Sequence, residues 1–271
     1  MKIARCQGRD TMKKIMLILM VMMLLFTSAT SVFADTMNVK VNTVDATVDI
    51  NVSSTGYSSF KAIVGKGDVE YIYNLQSGIE TLPLQLGSGK YTVTVLGSND
   101  GRRYRLLSEE TINVTLKENA VYLSASQTVN WNDESEVAIL AKNLTKDAVT
   151  DSEKLEIIHT YIVNNVRYDY QKATSLPKGY IPNADSTLAE GFGICYDFAA
   201  ITASMLRSVE VPTKLVKGYS SYTPVYHAWN EVLIDGEWVV VDASTDSIYV
   251  DHNVAYSLVK DTVDYQNSKV Y

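Results

Sequence analysis

Cysteine and histidine are scarce in this chain of 271 residues, which contains two cysteines and three histidines. Cys6 falls in a short N-terminal segment that we expect to be removed, so Cys195 is left without a partner for an internal disulfide. The histidines, at positions 159, 227 and 252, lie far apart, and no pair has the spacing of recognised metal ligands. The sequence therefore predicts no metal and no cofactor.

The chain also has fewer basic than acidic residues. The chain has 24 lysines and arginines against 31 aspartates and glutamates, which gives a formal net charge of −7. Nucleic acids and anionic lipid surfaces attract basic proteins, so neither is an expected partner.

A long hydrophobic run is absent as well. The longest apolar segment, residues 15–26, follows Lys13 and Lys14 and is shorter than the ~20 residues that a membrane-spanning helix needs. Small residues follow it and end at 32–34 in the pattern of a signal-peptide cleavage site. We therefore predict a signal peptide over 1–34, a secreted or cell-surface protein, and no membrane contact beyond that signal. An uncleaved membrane anchor is the main alternative.

Alternation of apolar and polar residues dominates residues 35–130. Val48 and Ile50 illustrate the pattern, and Val121 and Leu123 extend it. Turn-forming residues separate the alternating segments at intervals of roughly ten residues, which is typical of an all-β sandwich, immunoglobulin-like in layout. This predicted domain contains neither cysteine nor histidine, so we expect a spacer or positioning role, with ligand binding as the alternative.

Helical periodicity appears after residue 131. Thr150 and Glu153 form a predicted capping box, in which each side chain bonds the backbone N–H of the other residue at a helix start. Another helix is predicted to begin at Cys195 and to end near Val209, and alternating strands follow it. Residues 131–271 are therefore predicted to form an α+β domain.

Cys195 stands where a glycine-containing loop meets the start of this helix. The first turn of a helix has unpaired backbone N–H groups and the positive end of the helix dipole, and both stabilise a thiolate. His227 and Asp242 follow in the order expected of a base and its orienting carboxylate. The alternative for Cys195 is an inert thiol, because free cysteine is commonly buried.

A predicted hairpin brings His227 and Asp242 together. The Asp-Gly pair at 235–236 lies between two alternating segments and is a strong signal for a two-residue turn. The resulting register places Trp229 opposite Asp242, with His227 diagonal to Asp242 on the same face. Diagonal neighbours lie ~7–8 Å apart at the backbone, within reach of a His–carboxylate hydrogen bond. A slip of one residue would move the two side chains to opposite faces.

Two aromatic residues are further candidates for substrate binding. Tyr168 is a candidate contributor to the site, whereas the backbone N–H of Cys195 supplies one expected oxyanion donor and the sequence does not identify the second. Trp229 is a candidate wall of the substrate site. Packing in the core is the alternative for both.

Several short motifs together resemble the core of the transglutaminase-like superfamily, in its bacterial secreted branch. They are Gly193-Ile-Cys195-Tyr-Asp-Phe-Ala199, Leu206-Arg207 with Pro212, Lys217-Gly-Tyr219, His227-Ala-Trp-Asn-Glu231 and Trp238-Val-Val-Val-Asp242, with Tyr168-Asp-Tyr170 and Ala184-Asp-Ser-Thr-Leu188 upstream. The resemblance covers about 135–250 and implies a papain-like fold. It implies Cys195 as nucleophile, His227 as general base and acid, and Asp242 as orienting carboxylate. The chain departs from the family at Val209-Glu-Val211-Pro212, where many members carry Gly-Ile-Pro.

The sequence and this resemblance predict a secreted cysteine-dependent enzyme that transfers acyl groups from peptide or protein amides through a thioester. Water as acceptor makes such an enzyme a peptidase or amidase, and an amine makes it a transglutaminase; the sequence leaves both open. The expected partner is a peptide or protein substrate, with a cell-wall peptide as one candidate. The alternatives are a catalytically inactive surface binding or scaffolding protein and a dimer linked through Cys195.

Overall fold

The computed structural model describes residues 37–52 and 56–271. The predicted signal peptide, 1–34, lies outside the described residues. Within the described part of the chain, no helix is both long enough and apolar enough to cross a membrane.

Two antiparallel sheets are formed by the first seven strands. Their bounds are β1 Met37–Asn42, β2 Thr47–Val52, β3 Ser59–Lys66, β4 Val69–Leu75, β5 Gly78–Pro83, β6 Gly89–Ser98 and β7 Arg105–Val114. One sheet has the order β1-β2-β5 and the other the order β4-β3-β6-β7.

The inward-facing residues of these two sheets form one hydrophobic core. Val48 and Ile50 of the first sheet and Val64, Tyr91 and Val93 of the second are buried together. Their period-two spacing is the pattern that the sequence shows. The immunoglobulin-like layout stays a prediction.

The strand predicted around Val121 and Leu123 is wrong. Residues Ala120–Tyr122 instead form a 3-10 helix. Asn119 precedes it with φ of 58°, a left-handed conformation that turns the chain out of an extended path. The alternation there reflects the burial of Val121 in a small cluster with Ala46 rather than strand pairing.

The second region combines helices with a four-stranded sheet. The helices are α1 Glu136–Leu144, α2 Asp151–Asn165, α3 Tyr170–Thr174, α4 Ala184–Glu190, α5 Cys195–Ser208 and α6 Ala243–Asp251. The strands are β8 Arg167–Tyr168, β9 Phe192–Gly193, β10 Thr213–Ser220, β11 Thr223–Ile234, β12 Glu237–Val241 and β13 Tyr265–Val270. The main sheet is antiparallel with the order β12-β11-β10-β13, and β8 pairs with β9 in parallel.

Helix α5 lies at the centre of this region. Its buried residues Phe198, Ile201 and Met205 share a core with Ile158 of α2 and Val232 of β11. The helix begins at Cys195 and ends at Ser208, so both predicted ends are confirmed. The core therefore fixes the helix that carries the cysteine against the sheet that carries the histidine.

The predicted capping box of α2 is confirmed. The backbone N–H of Glu153 donates to Thr150 Oγ1 at 3.2 Å, and the backbone N–H of Thr150 donates to Glu153 Oε2 at 3.0 Å. These bonds satisfy N–H groups that have no partner within the helix.

The turn after α5 keeps its geometry although the sequence there is Val209-Glu-Val211-Pro212 instead of the family's Gly-Ile-Pro. Glu210 adopts φ of 66°, the left-handed region that glycine occupies freely. The chain still reverses there, because the backbone N–H of Val211 donates to the carbonyl of Leu206 at 3.0 Å. A non-glycine residue in this conformation costs about 1 kcal/mol.

Helices α3, α4 and α6 and strand β13 are among the elements that were not predicted from the sequence. Helices α3 and α4 lie between Tyr170 and Glu190, and α6 and β13 lie after Asp242, two parts of the chain in which the sequence shows no clear period. The three helices are short, and each begins at an Asp or Asn side chain that accepts a backbone N–H: Asp169, Asn183 and Asp242. Capping and tertiary packing therefore define these helices, because they are too short to show a clear period.

A buried arginine binds the connection between the two regions. The Arg207 guanidinium, on α5, donates to the carbonyls of Thr213 at 2.8 Å, Ser124 at 2.7 Å and Tyr271 at 3.0 Å. Burial lowers the pKa of Arg207 to about 9. Three carbonyls thus replace the water that the guanidinium loses, and the segment that follows β7 is held against α5.

Candidate active site

The loop before Cys195 is fixed by the helix that follows it. The backbone N–H of Ile194 donates to Asp197 Oδ2 at 2.9 Å. A Cβ at Gly193 would lie 2.7 Å from the Cβ of Asp197, so only glycine fits that approach. Cys195 is the first residue of α5, and its thiol is free and partly exposed.

The predicted register of the histidine hairpin is confirmed. Ile234 pairs with Glu237, and the ladder continues in the same register to Asn230 and Val241. Asp242 comes directly after this ladder and is the N-cap residue of α6. His227 Nε2 and Asp242 Oδ2 are 2.8 Å apart, and both side chains are buried.

Asp242 accepts several hydrogen bonds besides the one from His227. Ser244 Oγ donates to Oδ1 at 2.8 Å, Thr245 Oγ1 donates to Oδ2 at 2.8 Å, and the Tyr265 hydroxyl donates to Oδ2 at 3.0 Å. Burial alone would raise the pKa of Asp242, but the hydrogen bond and charge of His227 and the bonds from Thr245 hold it well below its ordinary value. The carboxylate is therefore ionised and fixed in orientation.

His227 lies between this carboxylate and the thiol. Burial lowers its pKa, but the hydrogen bond with Asp242 and then the one with Cys195 outweigh burial and raise the pKa to about 10. Nε2 donates to the ionised Asp242, so the ring's other nitrogen, Nδ1, remains for the thiol. The structure thus brings Cys195, His227 and Asp242 together in that order.

Tyr168 lies beside Cys195. Its ring stacks on Phe198 of α5 at 6.5 Å between centroids. Burial raises the pKa of Tyr168 to about 12; the charge of Cys195 acts in the same direction, and a hydrogen bond from the Cys195 backbone N–H opposes it. The tyrosine hydroxyl and that N–H therefore face each other at the start of α5.

Trp229 does not fit the role of a substrate contact. Its side chain is 1 % exposed, with its ring stacked on His227 at 6.2 Å and tilted against Tyr265 at 5.0 Å. Because it lies behind the imidazole, Trp229 supports the His227 ring rather than forming a wall of the substrate site.

The other two histidines lie apart from the thiol. His159 Nε2 is 2.9 Å from Asp246 Oδ2, and Asp246 also accepts from Lys260 in a buried cluster. His252 is exposed, with Nδ1 2.8 Å from the carbonyl of Ile248. Among residues 37–52 and 56–271, no group of three or more His, Cys, Asp or Glu side chains could hold a metal ion.

A charged cluster next to the cysteine was not predicted. Asp197, fully buried in the first turn of α5, accepts from Lys172 at 2.8 Å and from the Tyr180 hydroxyl at 2.5 Å. Burial opposes protonation of Lys172, but its bond to Asp197 raises its pKa. These contacts hold the segment around α3 on the start of the cysteine helix. Lys172 and Tyr180 lie outside any periodic pattern shared with Asp197, so the sequence alone did not predict these contacts.

The α+β fold and the order of thiol, imidazole and carboxylate define a class of proteins built like papain. Residues 138–243 match the family model described as the transglutaminase-like superfamily. This part of the chain belongs to that superfamily.

Curated relatives match a similar stretch. The chain is 28 % identical over 122 residues to kyphoscoliosis peptidase of Homo sapiens, and 27 % identical over 122 residues to the Mus musculus protein. Each match covers 41 % of this chain and 18 % of the relative, so the chain spans less than a fifth of the length of either.

Solved structures are similar at low identity. A provisional cysteine protease from Cytophaga hutchinsonii is 18 % identical, with 83 % of this chain and 80 % of that chain covered and a TM-score of 0.43. The periplasmic domain of TgpA from Pseudomonas aeruginosa is 14 % identical, with 76 % and 71 % covered and a TM-score of 0.39. Family membership and the site together support a cysteine-dependent enzyme in general.

Proposed function

We propose that this protein is an acyl-transfer enzyme that attacks peptide or protein amides with Cys195 and passes the acyl group to water or to an amine. The observation that carries the proposal is the buried His227–Asp242 pair at 2.8 Å, with the Cys195 thiol on the other side of the imidazole. An imidazole fixed by a carboxylate is the arrangement that activates a thiol.

In the first step the Cys195 thiolate attacks the carbonyl carbon of the amide, and a C–S bond forms. His227, which holds the proton from the thiol, gives it to the leaving nitrogen as the C–N bond breaks. In the second step His227 takes a proton from water or an amine, the new nucleophile attacks the thioester, and Cys195 leaves. The ionised Asp242 keeps the imidazole in position during both transfers.

The negative charge that develops on the carbonyl oxygen needs donors. The backbone N–H of Cys195 bonds the Tyr168 hydroxyl beside the thiol, and we propose that an entering carbonyl oxygen replaces this bond and accepts from both groups. Tyr168 is therefore proposed as an oxyanion donor, which is the second donor that the sequence left unassigned.

The setting of the enzyme is also part of the proposal. Export by the segment 1–34 would bring the site to peptides outside the cell, and a cell-wall peptide is a fitting acyl donor. The sheets of residues 35–130 are proposed as an immunoglobulin-like domain that positions the catalytic domain of 131–271. We favour water over an amine as the acceptor.

Mass spectrometry of the purified protein tests the reaction. The wild type and Cys195→Ala are incubated with cell-wall peptides and a primary amine. An acyl adduct on Cys195, absent from the variant, is expected, and the product mass distinguishes water from amine as acceptor. A protein that gives neither adduct nor product, and whose thiol reacts with iodoacetamide no faster than a model thiol at pH 6, would be a binding or scaffolding protein instead.

A further inference from the structure

Lys217 lies on the same face of the sheet as the cysteine helix. On β10 it pairs with Ala228 of β11, and the next pair along is Gly218 with His227. Ala228 packs in a cluster that includes Cys195 and Tyr196. The lysine therefore lies on the face of the sheet that packs against α5, one pair along the ladder from His227, whose own position projects to the other face.

Two aromatic rings hold the Lys217 ammonium. Its Nζ lies 3.3 Å from the ring centroid of Tyr196 and 5.1 Å from that of Tyr271. Tyr196 directly follows Cys195, so its ring holds the ammonium against the first turn of α5. Burial lowers the pKa of Lys217 to about 8, while the charge of Cys195 acts in the opposite direction. The ammonium is thus still charged at pH 7.

In the part of the chain that the structure describes, no carboxylate forms an ion pair with this ammonium. Within residues 37–52 and 56–271, Lys217 forms no ion pair and no side-chain hydrogen bond. The nearest acidic residue of α5, Asp197, is already bound by Lys172 and Tyr180. The residue opposite Lys217 on β13 is Lys269, a second cation.

Lys214, on the same strand, is a lysine whose charge is neutralised by a carboxylate. Its Nζ lies 3.7 Å from the ring centroid of Trp238 and donates to Glu231 Oε2 at 2.9 Å. Both lysines therefore have an aromatic neighbour and partial burial, but only Lys214 has a carboxylate. Lys217 lies on the face of the sheet that packs against α5.

We propose that Lys217 is a specificity residue that binds a carboxylate of the acyl donor, next to the carbonyl that Cys195 attacks. This inference rests on the proposed function and names its substrate class: a peptide with a free carboxylate close to the reacting amide. The bound carboxylate supplies the anion that the protein does not, in the way that Glu231 does for Lys214.

Two small alkylating reagents test this inference without knowledge of the substrate. Iodoacetate carries a carboxylate on the carbon that the thiolate attacks, whereas iodoacetamide carries a neutral amide there. The rate of Cys195 alkylation by each reagent is measured at pH 7 on the wild type, Lys217→Met, Lys217→Arg and the matched control Lys214→Met. Thermal unfolding shows that each variant is folded.

Lys217→Met is expected to lower the ratio of iodoacetate to iodoacetamide rates by about tenfold, the scale of a hydrogen bond to a charged group. Lys217→Arg should retain most of the ratio, and Lys214→Met should leave it unchanged. An unchanged ratio in Lys217→Met overturns the inference. Equal slowing by both reagents also overturns it, because Lys217 would then serve the thiolate itself.

Failure of the proposed function has a different signature. A wild-type thiol that reacts with iodoacetamide no faster than a model thiol shows that Cys195 is not activated, whatever the ratio of the two reagents. The ratio reports the carboxylate site, and the iodoacetamide rate reports the nucleophile.

Discussion

The protein contains two buried histidine–aspartate pairs, and the two aspartates lie one turn apart at the start of α6. His227 and Asp242 are 2.8 Å apart, and His159 and Asp246 are 2.9 Å apart. All four side chains are buried. Judged by the pair alone, either one could orient a catalytic imidazole.

The two histidine–aspartate pairs differ in the third side chain that contacts each of them. Asp246 also accepts from the buried Lys260 ammonium, which balances its charge, and His159 Nδ1 has no hydrogen-bond partner within the described part of the chain. His227 instead lies beside the Cys195 thiol, a group that can gain and lose a proton. We therefore infer that one pair serves chemistry and the other serves packing, because of the neighbours each has.

Replacement of the catalytic carboxylate should have the largest effect. Asp242→Asn keeps the size and the helix-capping capacity of the side chain but removes the charge that orients and stabilises the imidazolium. The rate of acyl-adduct formation on Cys195 should fall by about 10⁴-fold, the scale for an orienting carboxylate in a catalytic triad. Single-turnover mass spectrometry measures it. A fall of less than about tenfold would mean that Asp242 does not act in the reaction.

Replacement of the other carboxylate should affect stability instead. Asp246→Asn leaves the Lys260 ammonium buried without its partner, so the free energy of unfolding should fall by about 3–5 kcal/mol. Urea denaturation measures this loss. The folded fraction should still alkylate Cys195 at the wild-type rate.

A double variant controls for this interpretation. Asp246→Asn combined with Lys260→Met removes the unpaired charge and should recover most of the lost stability. If Asp246→Asn slows alkylation of folded protein as strongly as Asp242→Asn does, the division between a catalytic and a structural pair is wrong.

The sequence predicted the catalytic pair but not the structural one, for a physical reason. A two-residue turn at 235–236 sets the strand register, and that register places His227 near Asp242 by local geometry alone. His159 and Asp246 are 87 positions apart on two helices that meet only by tertiary packing. Trp229 was predicted to form a wall of the substrate site, but its ring is buried behind His227. Strand alternation predicts the face from which a side chain projects, but it does not predict which residues cover that face.

The same limit applies around the cysteine. The start of α5 at Cys195 could be predicted from a loop that gives way to helical periodicity. The contacts of Asp197 with Lys172 and Tyr180 depend on the path of residues 169–183, which no periodic pattern describes. Lys217 could be placed on a strand, but its two aromatic neighbours come from α5 and from residue 271.

The pH dependence of stability gives a smaller effect at the catalytic pair. The folded protein raises the pKa of His227 from its ordinary value of 6.5 to about 10, so it binds this proton more tightly than the unfolded chain does. The resulting stabilisation is complete below pH 6.5 and is lost as the pH rises through about 10. The difference in unfolding free energy between wild type and His227→Gln should therefore shrink over this range. A difference that grows with pH would contradict the assigned charge of the pair.

The smallest expected effect concerns the hydroxyl that supports Asp242. Tyr265→Phe removes a hydrogen bond of 3.0 Å to Asp242 Oδ2 while His227 and Thr245 still bind that oxygen. The loss should be about 1 kcal/mol, which corresponds to about a fivefold slower adduct formation. Tyr256→Phe is the matched control, because its ring packs against His159 at 5.8 Å. It should leave the rate unchanged. Equal slowing in the two variants would show that the effect does not come from the hydrogen bond between the Tyr265 hydroxyl and Asp242.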